Sequence, residues 1–565
     1  MRIEPGSHAH PDEHARDDSG DPDATTPDAP GAEVTAGSEG RTGAAEGAGT
    51  PTEAAPAAGH GSDGGSGGPP EDPSDGEADP GLAPKRRRRG RALALSGLAL
   101  VLVVAVGITL ALPAVSNRLG LPWAPNLPRG DEPEPIAVTR QLQPLGGQGD
   151  APTASGVQQA LAGLANSGAL GTLSGTVVDA ASGETLWSQG ENKAVTPASA
   201  TKILTAAAAL LELGPEKRFS TKAYELGGVD GSSPGGVVVE AGGDVTLSSL
   251  PEGEESLYRG AAHLDEFAKQ IDEATDGNVE AIALLQTAFT ANETGQGWAD
   301  EDAPSTYAAP LAPIMLDGGR KDPLDDTSER FADPAKRMME QLAGKFAAAD
   351  IVPDLAAGVR MREPDLSNPI AEVKSAPMER LVQQMLQLSD NTLAEAIQHQ
   401  IAISKGREPS FEGGAKATLE VLAEHGFDVS GVTLHDGSGL SVDNRITPKL
   451  LSEIIAVAAA PEGGGNADAR TSTLRPLLAG LPVAGGTGTL AERYADGAQV
   501  QGKGWVRAKT GTISSTGTNA LTGQVVTAGG RVLAFSLITS KAGNTEAARN
   551  ALDDITARLR KCGCG

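Results

Sequence analysis

The chain has 565 residues, 39% of them hydrophobic, with 73 glycines, 38 prolines and aromatics at only 3%. That length exceeds what one hydrophobic core serves, and the mixture indicates a globular part diluted by low-complexity sequence. A formal net charge of −28 excludes a protein built to hold nucleic-acid phosphates and reads mostly as a solvated acidic surface.

Residues 1–84 are rich in Gly, Ala, Pro, Ser, Asp and Glu and nearly lack large apolar side chains. Such a stretch cannot bury enough surface to offset chain entropy, so a disordered acidic tail is expected. The basic run Lys85–Arg89 with Arg91 follows, then an uncharged run from Ala92 to Val115. As a helix that run measures roughly 36 Å, enough to span a hydrocarbon core about 30 Å thick with some tilt. Basic residues before it predict a cytoplasmic N-terminus, with everything after it outside and residues 92–115 in contact with membrane lipid. The competing reading is a cleaved signal peptide, with small residues at 111–116 for cleavage. Either reading exports the remainder. The basic flank and transmembrane helix take residues 85–116, and the Pro- and Gly-rich residues 117–150 read as a linker.

A short helix is predicted from Ala154 to Ala165. Thr172–Val178 and Thr185–Trp187 flank Ala181-Ser182-Gly183-Glu184 and read as a hairpin. Thr196 fits a helix N-cap and Pro197 a first helical residue, predicting a helix that runs through Leu211. Apolar periodicity marks further helices at Met378–Leu388 and Thr392–Ile401. Val506–Thr512, Asn519–Thr527 and Val532–Thr539 read as strands, with a turn at Ala528–Arg531, and Asn544–Leu559 as a closing helix. The economical assembly is an α+β fold whose antiparallel sheet draws strands from both ends of the region, flanked by helices. The two cysteines, Cys562 and Cys564, are poorly placed to bridge each other, so a frayed tail without a disulfide is expected.

Three short motifs carry the chemistry. Ser199 and Lys202 are three apart, one turn from each other on one helix face. A serine hydroxyl is a weak nucleophile; a lysine neutralised by burial and adjacent positive charge can act as its base. Ser389-Asp390-Asn391 lies in the break between two helices, where the Ser389 hydroxyl can relay a proton and the Asn391 amide can hold Lys202 and a substrate peptide group. Lys509-Thr510-Gly511-Thr512 lies on a predicted strand. Alternation puts Lys509 and Gly511 on one face and Thr510 and Thr512 on the other, so the four can serve one site only at a sheet edge. There the Thr512 N–H can donate to an oxyanion, Gly511 allows close approach, a threonine hydroxyl can bind a carboxylate, and the charge of Lys509 would depress Lys202. Each motif alone has an ordinary structural reading; their order and setting favour the catalytic one. Residues 497–504 nearly fit a phosphate-binding loop but end in Gly and precede a strand, so they read as a turn. Gly437-Ser438-Gly439 lacks the flanking glycines of a nucleophile elbow. No metal-ligand spacing stands out, and no cofactor is expected.

The trio resembles that of penicillin-binding proteins and β-lactamases. Over roughly residues 155–560 the chain resembles the D-alanyl-D-alanine carboxypeptidase/endopeptidase family of low-molecular-mass penicillin-binding proteins. Further segments that carry the resemblance are Leu213-Gly214-Pro215, Arg218–Thr221, Gly242-Gly243-Asp244, Asp436–Ser441 with Asn444, Thr447-Pro448 and Leu481–Gly485. The chain departs from the family at Val245, where proline is usual, at 486–490, and loosely over 307–323. The resemblance implies a β-lactamase/transpeptidase-like catalytic domain in two parts, 151–222 and 376–561, around an inserted accessory region at 223–375. It implies a penicillin-sensitive serine D-Ala-D-Ala carboxypeptidase, with endopeptidase action beside it, working on peptidoglycan stem peptides through a Ser199 acyl-enzyme. Ser199, Lys202, Ser389, Asn391 and Lys509 would be catalytic and Thr510, Gly511 and Thr512 substrate-binding, with β-lactams as covalent inhibitors. The alternatives are a β-lactamase on the same domain, against which the long interval between Lys202 and Ser389 counts, and a catalytically idle wall-binding scaffold. A cytoplasmic partner for the acidic tail rests on composition alone.

Overall fold

The computed structural model describes residues 151–226, 236–286, 288–289, 294–346, 350–352 and 365–564. The expectations for the acidic tail, the basic flank with residues 92–115 and the linker fall outside the described residues. Among the described residues, no helix is long and apolar enough to cross a membrane.

One part of the structure is built on a five-stranded antiparallel sheet in the order β2-β1-β10-β9-β8, comprising β1 (Thr172–Asp179), β2 (Thr185–Gln189), β8 (Val506–Ile513), β9 (Thr518–Val526) and β10 (Val532–Ser540). The two ends of the region meet where β1 pairs with β10, from Thr172 opposite Ser540 to Asp179 opposite Leu533. Among the described strands β8 pairs with β9 alone, placing Lys509 opposite Thr522 and Gly511 opposite Ala520, and on its other side Arg507 makes an isolated bridge with Val483. The strand that carries the Lys-Thr-Gly motif is therefore the sheet's edge, as its alternation requires.

One face of the sheet is covered by α1 (Ala154–Leu161) and α10 (Thr545–Arg560), which enclose Val157, Leu161, Val506, Ala508, Leu552 and Ile555. The other face packs against α8 (Pro448–Ala459), which in turn contacts α2 (Lys202–Glu212). Every residue of α2 from Lys202 to Leu210 is buried. A helix apolar all round must lie inside the molecule, and the run Ala206–Ala209 lets its neighbours approach closely. Around it pack α5 (Met378–Leu388), α6 (Asn391–Ser404), α7 (Phe411–Glu424) and α9 (Ala469–Gly480).

Between α2 and α5 the chain forms a second sheet with its own core. Its order is β6-β5-β4-β3-β7, from β3 (Ser220–Leu226), β4 (Gly236–Ala241), β5 (Ala281–Leu285), β6 (Asp350–Val352) and β7 (Ala371–Lys374). β4, β5 and β6 run parallel, while β3 is antiparallel to both β4 and β7. The parallel crossovers pass through α3 (Leu264–Ala274) and α4 (Pro334–Ala343), whose Phe267, Ile271, Met338 and Leu342 are buried with Val237, Val239 and Ile282.

Two sequence expectations fail locally. Cys562 and Cys564 are paired: after α10 the chain turns through Gly563, and the two Cα atoms come to 4.9 Å, inside the ordinary range for a disulfide. Nor is this tail frayed, because Cys562 is buried in the core and the Thr153 N–H donates to the Cys564 carbonyl at 2.7 Å. Thr196 and Pro197 do not open an α-helix either. Ala198–Thr201 is a 3-10 turn that begins with Ala198 at φ 49°, and the α-helix starts only at Lys202. The Thr196 hydroxyl instead donates to the Val442 carbonyl and accepts from Arg445.

Candidate active site

Ser199 sits in that 3-10 turn, and its position follows from two glycines that allow close approach. A Cβ at Gly439, where φ is +87°, would collide with the Ala198 carbonyl oxygen. A Cβ at Gly511 would lie 2.9 Å from the Pro197 carbonyl oxygen and 3.0 Å from the Ser199 nitrogen. The serine turn thus rests against the edge strand β8 on one side and the 436–441 loop on the other.

Lys202, the first residue of α2, is fully buried. Its ammonium lies 3.3 Å from Ser199 Oγ and donates to Asn391 Oδ1 at 2.5 Å and to the Ser438 carbonyl at 2.7 Å. α5 ends at Ser389 in the left-handed conformation (φ 57°), and Asp390 caps α6 by accepting from the Leu393 N–H at 2.9 Å. This reversal of the chain aims Ser389 and Asn391 at one cleft while Asp390 points away into the core. Lys509, also fully buried, donates to Ser389 Oγ and to the Thr510 carbonyl, each at 2.8 Å. One cleft therefore holds Ser199, Lys202, Ser389, Asn391 and Lys509, which come from three separated stretches of sequence.

Thr510 and Thr512 leave β8 on its other face, as alternation predicts. The hydroxyl of Thr510 pairs with that of Thr489 at 2.7 Å, and Thr512 Oγ1 accepts from Arg549 Nη2 at 2.9 Å.

Burial pushes Lys202 down to about 8, against the opposing pull of Glu395, Asp436 and Asp390. Burial, and then the charge of Lys202, hold Lys509 well below the usual lysine range. The sequence expectation was that Lys509 depresses Lys202; here the Coulombic effect falls on Lys509. The coupling is mutual in physical terms, since two ammonium groups in one dry cleft disfavour each other. A neutral amine beside a hydroxyl is what proton abstraction from a serine requires.

Residues 157–324 and 324–561 match the model of the D-Ala-D-Ala carboxypeptidase 3 (S13) family. Carboxypeptidase DacB of Mycolicibacterium smegmatis is 40% identical over 438 residues, 77% of this chain and 90% of that protein. A carboxypeptidase of Mycobacterium tuberculosis is 38% identical over 437 residues, 76% of this chain and 89% of its own length. The chain belongs to the S13 family of D-Ala-D-Ala carboxypeptidases. The fold agrees with that of penicillin binding protein 4 from Haemophilus influenzae, at a TM-score of 0.54 and 20% identity, covering 72% of this chain and 98% of that one.

Around the S13 cleft the structure adds residues that sequence reasoning did not single out. Asp390 is buried with two arginines from the inserted region. Arg320 Nη2 lies 2.6 Å and Arg330 Nη2 3.6 Å from its Oδ2, and the Tyr258 hydroxyl donates to the same oxygen at 2.7 Å. Burial alone would raise the Asp390 carboxyl. Arg320 and then Arg330 more than reverse that and hold it well below the usual carboxylate range. Arg330 also reaches Thr392 Oγ1 at 3.2 Å, and the Asn391 amide donates to the Tyr307 carbonyl at 3.1 Å. The inserted region thus grips the Ser389–Thr392 segment directly.

Beneath Lys202, Glu395 of α6 accepts from the N–H groups of Gly437 and Ser438 at 2.9 and 2.7 Å, fixing the carbonyl that receives the lysine. Burial, with Asp436 adding to it, pushes Glu395 up to about 8. Asp436 in turn accepts from Ser441 N–H, Asn444 Nδ2 and Trp298 Nε1 at 2.7, 2.6 and 2.8 Å. Asp436–Ser441 was recognisable in sequence only as a family segment. Nothing local to Arg320, Arg330 or Arg549 distinguishes them from surface arginines. Among the described residues, no cluster of His, Cys, Asp and Glu is arranged to hold a metal.

Proposed function

We propose that this enzyme hydrolyses the terminal D-Ala–D-Ala bond of peptidoglycan stem peptides through an acyl-enzyme on Ser199, and by the same attack opens D-alanyl cross-links. One observation carries the assignment of roles: a single buried amine, Lys202, is held at once by Ser199, Asn391 and the Ser438 carbonyl, while a second, Lys509, sits on Ser389.

In this reading Lys202 takes the hydroxyl proton as Ser199 Oγ bonds to the carbonyl carbon between the two D-alanines. The negative charge on the carbonyl oxygen is met by the N–H groups of Ser199 and Thr512. Ser389 and Lys509 pass a proton to the departing nitrogen as the C–N bond breaks, and D-alanine leaves as the amine. Water then attacks the ester, and Ser199 recovers its proton. Asn391 orients Lys202 and the substrate peptide group, and Gly511 admits the peptide against the edge strand. A β-lactam presents the same carbonyl and stays attached.

The test is labelling with a fluorescent penicillin alongside D-alanine release from a pentapeptide. Ser199→Ala is expected to abolish labelling and to lower D-alanine release by roughly 10³-fold or more. Labelling that survives the substitution refutes the assignment. Rapid penicillin turnover without D-alanine release would instead show a β-lactamase.

The same proposal places the enzyme at the membrane. The uncharged run at 92–115 behind Lys85–Arg91 supports a single-pass anchor in lipid with residues 1–84 in the cytoplasm, and a wall substrate requires the catalytic region outside. A cytoplasmic partner for residues 1–84 is supported only by their acidic, low-complexity composition.

A further inference from the structure

We infer that Arg549 is the residue that selects a free α-carboxylate on the leaving amino acid. This deepens the proposed function, on which it rests. A D-Ala-D-Ala substrate ends in an anion, so the cleft needs a cation that is not already committed. Lys202 is committed to Ser199, Asn391 and the Ser438 carbonyl, and Lys509 to Ser389 and the Thr510 carbonyl. Arg493, near Arg549 on the same side of the sheet, is paired with Asp553 through Nη2 at 2.6 Å and Nε at 3.0 Å.

Arg549 differs from all three. It lies early in α10 and donates from Nη2 to Thr512 Oγ1 at 2.9 Å, and among the described residues no carboxylate forms an ion pair with it. Its charge therefore stands against the Thr512 hydroxyl, on the face of β8 opposite Lys509 and Gly511. Arg549 is exposed at the surface, so a ligand can reach it from solvent. A planar guanidinium offers a carboxylate two parallel donors, which neither hydroxyl can do, and it adds charge that they lack. Thr512 holds the guanidinium in place, and a substrate carboxylate would complete the arrangement.

The experiment compares two pairs of ligands on the wild-type enzyme, Arg549→Gln and Arg549→Lys. The first pair is a stem-like peptide ending in D-Ala-D-Ala as the free acid and as the carboxamide, read by kcat/KM. The second is penicillin as the free acid and as its methyl ester, read by the rate of covalent labelling. Arg549→Gln is expected to lower the acid-over-neutral preference about 10- to 100-fold in both pairs, with most of the peptide effect in KM, and Arg549→Lys to keep much of the preference. An unchanged preference in Arg549→Gln overturns the inference, whatever happens to the absolute rates. A lost preference in the penicillin pair, with no D-alanine release by wild type, would uphold the carboxylate role and overturn the carboxypeptidase reading instead.

Discussion

At the scale of single residues, the cleft depends on groups with no room to move. Gly511 is one: with Pro197 and Ser199 backbone atoms 2.9–3.0 Å from where a Cβ would stand, Gly511→Ala must displace the nucleophile turn from the edge strand. A shift of that order costs about 10²-fold in rate, so penicillin acylation should fall by about that factor while far-UV circular dichroism stays native. Lys202 is the second. Its folded value of about 8 lies below the ordinary lysine value, so the neutral amine grows as pH rises toward 8 and beyond. Acylation by penicillin should climb with pH along that limb. Lys202→Arg, which stays charged, should show neither the limb nor the acylation. A flat profile for the wild-type enzyme between pH 6 and 9 would remove Lys202 as the base.

Among elements, the decisive contact is that of the inserted region with the α5–α6 break. Arg320, Arg330 and Tyr258 meet on Asp390, whose neighbours in sequence are the two cleft residues Ser389 and Asn391. Breaking a buried pair by removing one partner costs about 3–5 kcal/mol. Arg320→Met should therefore lose about that much stability in urea unfolding, and Arg320→Met with Asp390→Asn should recover part of it. The pH dependence has a fixed sign. The Asp390 carboxyl is depressed in the folded state, so its contribution is complete above the unfolded value of about 3.9 and is lost as pH falls below it. Asp390→Asn should flatten stability against pH on the acid side, and an unchanged acid slope would show that the arginines do not depend on this charge.

For the whole molecule, every residue assigned to the site comes from the catalytic sheet and the helices and loops around it, within residues 151–564. Protein lacking residues 1–115 should be soluble and release D-alanine at the full-length rate, and loss of activity on truncation would assign those residues a catalytic role. Deletion of residues 1–84 alone tests the cytoplasmic partner, because unaltered localisation and activity would count against it. Much of this plan is legible in sequence, because it rests on local rules. Extended runs bounded by turn residues mark β1, β8, β9 and β10, a break between periodic helices marks Ser389–Asn391, and the three-residue spacing of Ser199 and Lys202 survives the change from the expected α-helix to a 3-10 turn. What stays hidden is long-range. Asp390 looks like a helix cap, and is one, but its partners Arg320 and Arg330 lie some 60–70 positions away, on loops between β5 and α4. Arg549 reads as one more charge on a closing helix until the sheet sets it beside Thr512. The pairing of Cys562 with Cys564 is a local exception, set by the turn after α10. Sequence by itself determined which residues could do chemistry and which elements carry them, because backbone preference and patterning act over a few residues. Only the tertiary structure decided which charges share a dry cleft, because desolvation and pairing depend on what the rest of the chain packs against them.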